Sequence, residues 1–386
     1  MTVSGPAFFT SRSPSTAEIT QSQADRIFDI VFSANLTLDS LRMTSGDVTS
    51  FTSGNARGGN ARVTNGRLTL DKVASTSADA LVGGSVHASG TNTKLTISRS
   101  FFETNDATSS GGTLSIQAGA TATVKRTLLQ LSEVDDSTNA GNGGIILSEG
   151  LGGLTVIDST LQGSSAESTG VGNPALGGAI YSNAPLTIKR STIRGNTASA
   201  DQDNTQENGG GVYVAGGVAN IVNSTFFDNR AGGPGDTDGF GGAVYAASGT
   251  THIKHVTFDS NQGSDDADSI GTGIGVVDLF GSIIDDAGDP CEGSVSSAGF
   301  NVTTSNDPDC GLVGSDVPDG DPDLDVFGDN GGFTETIPIA GTSDAKNLVP
   351  RKKCKKATGL EDQRGFGRPK GKKCDAGAFE LGAKRK

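Results

Sequence analysis

The sequence predicts an all-β chain wound as a right-handed parallel β-helix, and three observations carry that prediction. A pattern of the form L-T-I-x-x-S-T-I-x-x-N recurs along the chain at intervals of 25–33 residues. Within each copy apolar and polar side chains alternate, as Leu186 and Ile188 do with Thr187 and Lys189, which is the period of a strand with one buried face. Between copies stand glycine clusters, such as the three at 209–211, that permit the positive φ of a sharp corner.

In chain order the copies start at Leu36, Leu68, Leu95, Val124, Leu154, Leu186, Ala219, Thr251 and, with a looser fit, Val276. Such a period belongs to stacked units, none of which buries its apolar face alone. A unit of this length holds three short strands but has no room for a crossover helix as well. Leucines at fixed spacing, the mark of a leucine-rich solenoid, are missing. About nine coils are expected over residues 36–287, preceded by a cap or incomplete coil in 1–35. Residues 288–386 should form a C-terminal cap with a basic tail, shielding the open edge of the last coil. Leu186, Ile188, Ile193, Ile180, Val212, Ile221, Phe226, Val244, Ile253 and Phe258 should point inward.

One polar column accompanies the apolar ones. Ten residues after four of the starts stand Asn105, Asn196, Asn229 and Asn261, whereas the units at Leu36, Leu68, Val124 and Leu154 lack the residue. Asparagine tolerates a left-handed bend, and its amide can bond the asparagine one coil away, so a stacked ladder is expected. The polar segments TASADQDNTQE and RAGGPGDTDGF hang after that column, on one edge, where a solenoid commonly carries its binding surface.

Composition agrees with a thin, continuous core: tryptophan is absent, aromatics are 5% of the chain, and 57 of its 386 residues are glycine. Charge is divided, with net −23 over residues 1–350 and net +9 over 351–386. The basic tail would attract polyanions, but it has almost no aromatic side chains to stack on bases, and the acidic body repels phosphate. Nucleic acid is therefore not expected as a partner. The tail reads as solvated, or as a contact for the chain's own acidic coils or an anionic wall polymer.

All four cysteines, Cys291, Cys310, Cys354 and Cys374, follow the repeats. Their spacing is not that of a zinc site. The even count in a loop-rich region reads as sequential disulfides, Cys291 with Cys310 and Cys354 with Cys374, the two other pairings remaining open. Disulfides imply an oxidising compartment, so a secreted or surface-exposed, monomeric protein is expected. Residues 1–17 hold no apolar secretion core, which suggests a chain that begins after a removed export signal, and no apolar run reaches membrane-spanning length. One metal candidate exists. Asp319, Asp321, Asp323 and Asp325 alternate, so an extended backbone would place their carboxylates on one side, as Ca²⁺ requires.

The motifs GGAI at 177–180 and GGAV at 241–244, with FETN at 102–105, FFDN at 226–229 and FDSN at 258–261, resemble the repeats of polymorphic outer-membrane proteins, β-helical bacterial surface adhesins. Towards the C-terminus, GDPDLDVFGDNGGFTETIPIAGTS, EDQRGFGR and CDAGAFELG are similar to the end of right-handed β-helix repeat proteins with a choice-of-anchor Q segment. The two resemblances span most of residues 60–382 and imply a β-helix, an adhesin-like role and an anchor-type C-terminal segment. The family's Gly-Ser-Pro turn is replaced here by GTSDAKNLVP, so its geometry does not carry over to Asp344.

Parallel β-helices also host enzymes of acidic polysaccharides, which keeps a lyase or glycoside hydrolase as the alternative. The Gly-His-Gly of polygalacturonases is missing, and Arg-x-Lys occurs only in the basic tail. The acidic pairs Asp135-Asp136, Asp265-Asp266 and Asp285-Asp286 are sequence neighbours, which point oppositely on a strand and so supply no facing acid and base. The leading expectation is a binding or scaffold protein that contacts a glycan or a surface protein along one coil face. Thr187, Asn220 and His252 would lie there in register, with Lys254 on the same face as His252.

Overall fold

The computed structural model describes residues 2–4, 17–52, 54–200, 206–233, 238–264, 268–286 and 288–385. Four sheets are stacked along one axis. Sheet I has eleven strands, from Thr2–Ser4 to Val295–Ser297, and sheet II eleven, from Ala17–Thr20 to Val302–Thr303; sheet III has nine, and sheet IV ten, from Phe28–Val31 to Cys291–Glu292. The chain visits them in the order I, II, III, IV in each full coil. Strand Lys94–Ser98 is followed by Phe101–Glu103, Asp106–Ser110 and Leu114–Gln117 before sheet I is rejoined at Thr121–Lys125. Every ladder along these stacks is parallel, with each residue beside its counterpart one coil away. The protein is a parallel β-helix.

The apolar columns lie where the alternation put them, and all ten residues expected inside are at most 1% exposed. In sheet II, Leu161, Ile193, Phe226 and Phe258 stack in register, with the last two rings 5.4 Å apart. The glycine corners close the path into sheet IV. Gly177 takes φ 73, and a Cβ on Gly178 would come within 2.2 Å of the Gly210 carbonyl oxygen in the next coil.

Four details differ from the sequence reading. Coils have four faces rather than three, because the inward residues of sheet III are small: Ala80, Ala107, Val134, Ala166, Ala198 and Ala231 leave a faint apolar signal. The polar excursions interrupt this sheet, and residues 201–205 and 234–237 within them lie outside the described residues. Register also shifts twice. Leu95 pairs with Ala122, not Val124, and Thr251 pairs with Val277, which is buried while Val276 is 40% exposed.

Thirdly, the nine expected starts all fall in strands of sheet I, but among the described residues that sheet has eleven strands, so coils also precede and follow them. Thr2–Ser4 pairs with Thr37–Asp39, and the strands Ala17–Thr20 and Phe28–Val31 join sheets II and IV, so part of 1–35 is a first coil. Finally, the helix continues past 287, itself outside the described residues. Cys291–Glu292 completes the tenth coil, and Val295–Ser297 and Val302–Thr303 form the eleventh, whose sparse apolar content hid it. The end is capped by the turn Pro308–Cys310: Cys310 is bonded to Cys291, and Leu312 packs on the core.

The remaining chain, residues 320–385, leaves that end and runs back along the outer face of sheet II as a strap. Phe327 stacks on Phe227 at 4.6 Å, and Ile339, Val349, Ala376 and Phe379 form a second apolar cluster with Ile283 of sheet II. The Cys354–Cys374 bond ties the helix Arg351–Thr358 to the strap's last part.

Two polar ladders hold the corners of sheet II. Before the strand, Ser100, Thr127, Ser159, Ser191 and Ser224 stack: the backbone N–H of each of the first four donates to the hydroxyl of the next, at 3.2–3.3 Å. Each hydroxyl donates in turn to the carbonyl two residues earlier in its own coil, as Ser191 does to Lys189 at 3.0 Å. After the strand the asparagine ladder forms over three of the four expected residues, with Asn196 Nδ2 donating to Asn229 Oδ1 at 3.0 Å and Asn229 Nδ2 to Asn261 Oδ1 at 2.9 Å, whereas Asn105 bonds Ser75. Ser132 and Ser164 extend it where asparagine is lacking, and Asp286 ends it, accepting from Asn261 N at 2.8 Å.

Burial pushes the Asp286 carboxyl up to about 7 despite the hydrogen bonds from Ser269 and Asn261. Its folded value lies above the ordinary 3.8, so its contribution is fully present below about pH 4 and is lost as pH rises through 7. Urea unfolding of the Asp286→Asn variant should lose a pH-dependent component on the order of 4 kcal/mol between pH 4 and 8. An unchanged pH profile would refute this. Phe226→Ala, in the centre of the core, should cost about 3–5 kcal/mol in the same measurement.

Candidate functional site

The outer face of sheet II is open over the early coils and covered by the strap over the late ones. Its left-hand border is the corner between sheets I and II, where one residue per coil must adopt the left-handed conformation. Lys72 (φ 52), Arg99 (φ 50) and Arg126 (φ 50) occupy it in three successive coils and Arg190 (φ 50) in a later one. The bend turns these side chains away from the core, so a structural corner becomes a row of cations.

The strand adds two further outward columns. Ala74, Phe101, Leu128 and Thr160 stand in register as a mostly apolar floor. Beyond them Thr76, Glu103, Gln130, Gln162 and Arg194 form the opposite wall. That wall is a continuous hydrogen-bonded chain. Arg194 Nε donates to Gln162 Oε1 at 2.8 Å, Gln162 Nε2 to Gln130 Oε1 at 2.7 Å, and Gln130 Nε2 to Glu103 Oε1 at 2.7 Å.

Together these columns line a groove of about 1320 Å³ that extends from Arg42 to Arg194. Its volume exceeds the roughly 300–1,000 Å³ of a small-molecule pocket. The strap builds its end wall. Thr192 Oγ1 donates to the Glu335 carbonyl at 2.7 Å, Phe333 lies 3.9 Å under the Arg126 guanidinium, and Glu335 is 3.6 Å from Arg194. Behind that wall Arg126, Asp158, Arg190, Glu361 and Arg364 line a smaller pocket of about 290 Å³. There the buried Asp158 carboxylate bridges Arg190 at 2.7 Å and Arg126 at 3.7 Å.

Five basic side chains line the groove, Arg42, Lys72, Arg99, Arg126 and Arg194, against three acidic ones, Glu103, Asp158 and Glu335. This reverses the sign of the whole chain, which carries −14. Arg99 is held from behind by Asp71, with Nε to Oδ1 at 2.9 Å, and stays 54% exposed. Burial would raise the Asp71 carboxyl, but the hydrogen bonds from Arg99 and Ser98 outweigh it and leave it below its ordinary value.

The face expected from the sequence lies elsewhere. Thr187, Asn220 and His252 are in register on the outer face of sheet I, continuing a column of Thr69, Thr96, Thr123 and Thr155. His252 Nδ1 is 2.9 Å from Asp278 Oδ2 in the next coil, and Lys254 stands in the adjoining outward column. These residues do not line the groove. The groove did have a sequence signal, in the basic residue that precedes the repeat's Ser or Thr, SRS at 98–100 and KRT at 125–127, while KRS at 189–191 marks Arg190 of the smaller pocket.

The aspartate run does not form a one-sided row. Asp319 (φ 52) and Asp323 (φ 43) are left-handed bends, so alternation in sequence does not become alternation in space. Asp321 Oδ1 and Asp325 Oδ1 accept from nearby backbone N–H groups as turn residues, at 2.8 Å each. Among the described residues no three of these carboxylates come close enough to share an ion; the group that does, Cys291, Asp307 and Cys310, has its sulfurs in a disulfide. Both disulfides follow the sequential pairing. Of the acidic pairs, Asp136 is buried and accepts from Thr138 and Asn139 in its own turn, Asp286 ends the ladder, and Asp265-Asp266 lies outside the described residues.

The residues of EDQRGFGR and CDAGAFE fasten the strap. Gln363 Nε2 donates to Thr192 and Thr334, and its Oε1 accepts from Thr225 at 2.7 Å. Arg364 pairs with the buried Asp362, and Arg368 reaches His255 Nδ1 at 2.6 Å and the carbonyls of Gly377 and Ala378. Burial, then the Arg368 charge, holds His255 well below its ordinary value, so it is neutral. Among the described residues no helix is long and apolar enough to cross a membrane. Comparison with protein-family models, with curated proteins and with solved structures gave no match.

Gln363→Ala would leave the buried Thr192 and Thr225 hydroxyls short of a partner, at a cost of about 1–3 kcal/mol. Hydrogen exchange should then show lost protection in residues 327–336, which carry the groove's end wall, while the coils remain protected. Uniform loss across the coils would contradict the fastening role.

Proposed function

We propose that this protein is a β-helical binding protein of the secreted or cell-surface type that holds an extended glycan in the groove of sheet II. One observation carries the reading: the same three positions line the groove in each of four successive coils, so it offers a row of subsites rather than one pocket. Coils are spaced by about 4.8 Å, close to the length of one pyranose unit, so a linear chain lying along the axis would meet a new subsite with each sugar. Phe101 and Leu128 supply apolar contact for ring faces, and the Gln130 and Gln162 amides supply hydrogen bonds to hydroxyls.

Two disulfides support an oxidising compartment, and the likeness of the repeats to surface adhesins points the same way. The arrangement favours holding over turnover. Glu103 is bonded to Gln130, and Asp158 is clamped between two arginines, so neither is a free acid or base.

Retention on immobilised glycans, read by affinity electrophoresis, tests the reading. Phe101→Ala with Leu128→Ala should weaken binding roughly tenfold or more. Thr187→Ala with His252→Ala on sheet I should leave it unchanged. The opposite outcome would move the site to sheet I, and absence of retention on every glycan would refute the reading.

A further inference from the structure

Resting on the groove as the glycan site, we infer that its ligand is a linear polyanion, a glycan that carries a carboxylate or sulfate along its length. The argument begins at the corner between sheets I and II. The left-handed bend there costs any residue with a Cβ on the order of 1 kcal/mol, and glycine none. The corner on the other side of the same strand uses Gly163 and Gly195 in two of its coils, so the fold accepts glycine at such bends. Lys72, Arg99 and Arg126 stand instead in three consecutive coils, all lining the groove.

The amide wall points the same way. Its donors run from Arg194 through Gln162 and Gln130 to Glu103, so the wall's own carboxylate is already occupied by a donor. Lys72, Arg99 and Arg126 then face the groove from the corner, one per coil, and Arg42 stands at the head of the floor column, in register with Ala74. Acidic groups spaced along an extended chain can meet successive cations, of which Arg99 keeps 54% of its side chain exposed beside Asp71. The aromatic content of the lining, Phe101 and Phe333, is too small for base stacking along a nucleic acid strand.

The test measures binding of the full chain to a polyuronate, a sulfated glycan, a neutral β-glucan and a single-stranded DNA oligonucleotide at 50 and 300 mM NaCl. The expected result is binding of one or both acidic glycans, weakened roughly tenfold or more by the added salt, as several screened ion pairs require. The two acidic arms tell carboxylate from sulfate recognition. The combined variant Arg42→Gln, Lys72→Gln, Arg99→Gln should lose roughly tenfold or more in affinity, and Lys94→Gln with Lys189→Gln on sheet I should not. Because each replaced side chain is at least partly exposed, thermal unfolding of the variant should match the parent. If it does not, Arg99→Lys, which keeps the charge, must retain binding where Arg99→Gln loses it.

Equal, salt-insensitive binding of the neutral glucan would overturn the inference and leave the groove reading standing. Acidic-glycan binding untouched by the triple variant would overturn it as well, as would DNA binding at the same strength. Absence of binding to any glycan would sink both.

Discussion

Everything in this molecule depends on satisfying the backbone at the two corners that flank sheet II. A strand interior bonds its neighbours through the ladder, but a corner residue has left the ladder and still carries a buried N–H. The chain answers with a side chain from the next coil: a hydroxyl at one corner, an asparagine or serine at the other. This explains two fixed letters of the repeat. Ser191 is there because Ser159 N needs an acceptor, and Asn229 because Asn196 N does. Each coil therefore supports the one before it, and the column must end in a group that needs nothing further. Asp286 fills that place at the end of the asparagine ladder, at the cost of a buried carboxyl pushed up to about 7.

The same corners generate the surface. A left-handed bend before the ladder residue throws its side chain outward, so whatever occupies that letter of the repeat becomes a longitudinal row. In coils with lysine or arginine the row is cationic, and where Asn223 and His255 replace them the strap lies over it, through Asn223 to the Glu361 carbonyl and His255 to Arg368. The covered stretch begins already at Arg190, which pairs with Glu361 of the strap, and Asp158 stands between it and the open cations.

Covering that face also buried a cluster of charges beside the second apolar cluster. The strap buries Arg368, Glu380, Asp375 and Asp362 together, with Arg368 3.7 Å from Glu380. Burial, then the neighbouring Asp375 charge, raises the Glu380 carboxyl to about 7 against the pull of Arg368. Such a cluster adds little net stability, since desolvation offsets attraction, but it fixes one geometry. Here that geometry sets where Phe333 and Glu335 stand, and so where the groove ends.

The sequence by itself determined the architecture, the inward columns and the asparagine ladder, because each is written as a local period, whereas the structure chose the sequential disulfides among three pairings. Alternation of Leu186, Thr187 and Ile188 is enough to say which side is buried. It failed where side chains are small or polar: sheet III with its alanines, and the eleventh coil with Val295, Ser297 and Thr303. Only the tertiary structure decided which outward face carries a groove. Thr187 and His252 on sheet I and Arg99 and Gln130 on sheet II are equally polar and equally periodic in sequence. What separates them is the return of residues 320–385 over sheet II, a contact between segments more than a hundred residues apart that walls one face into a groove.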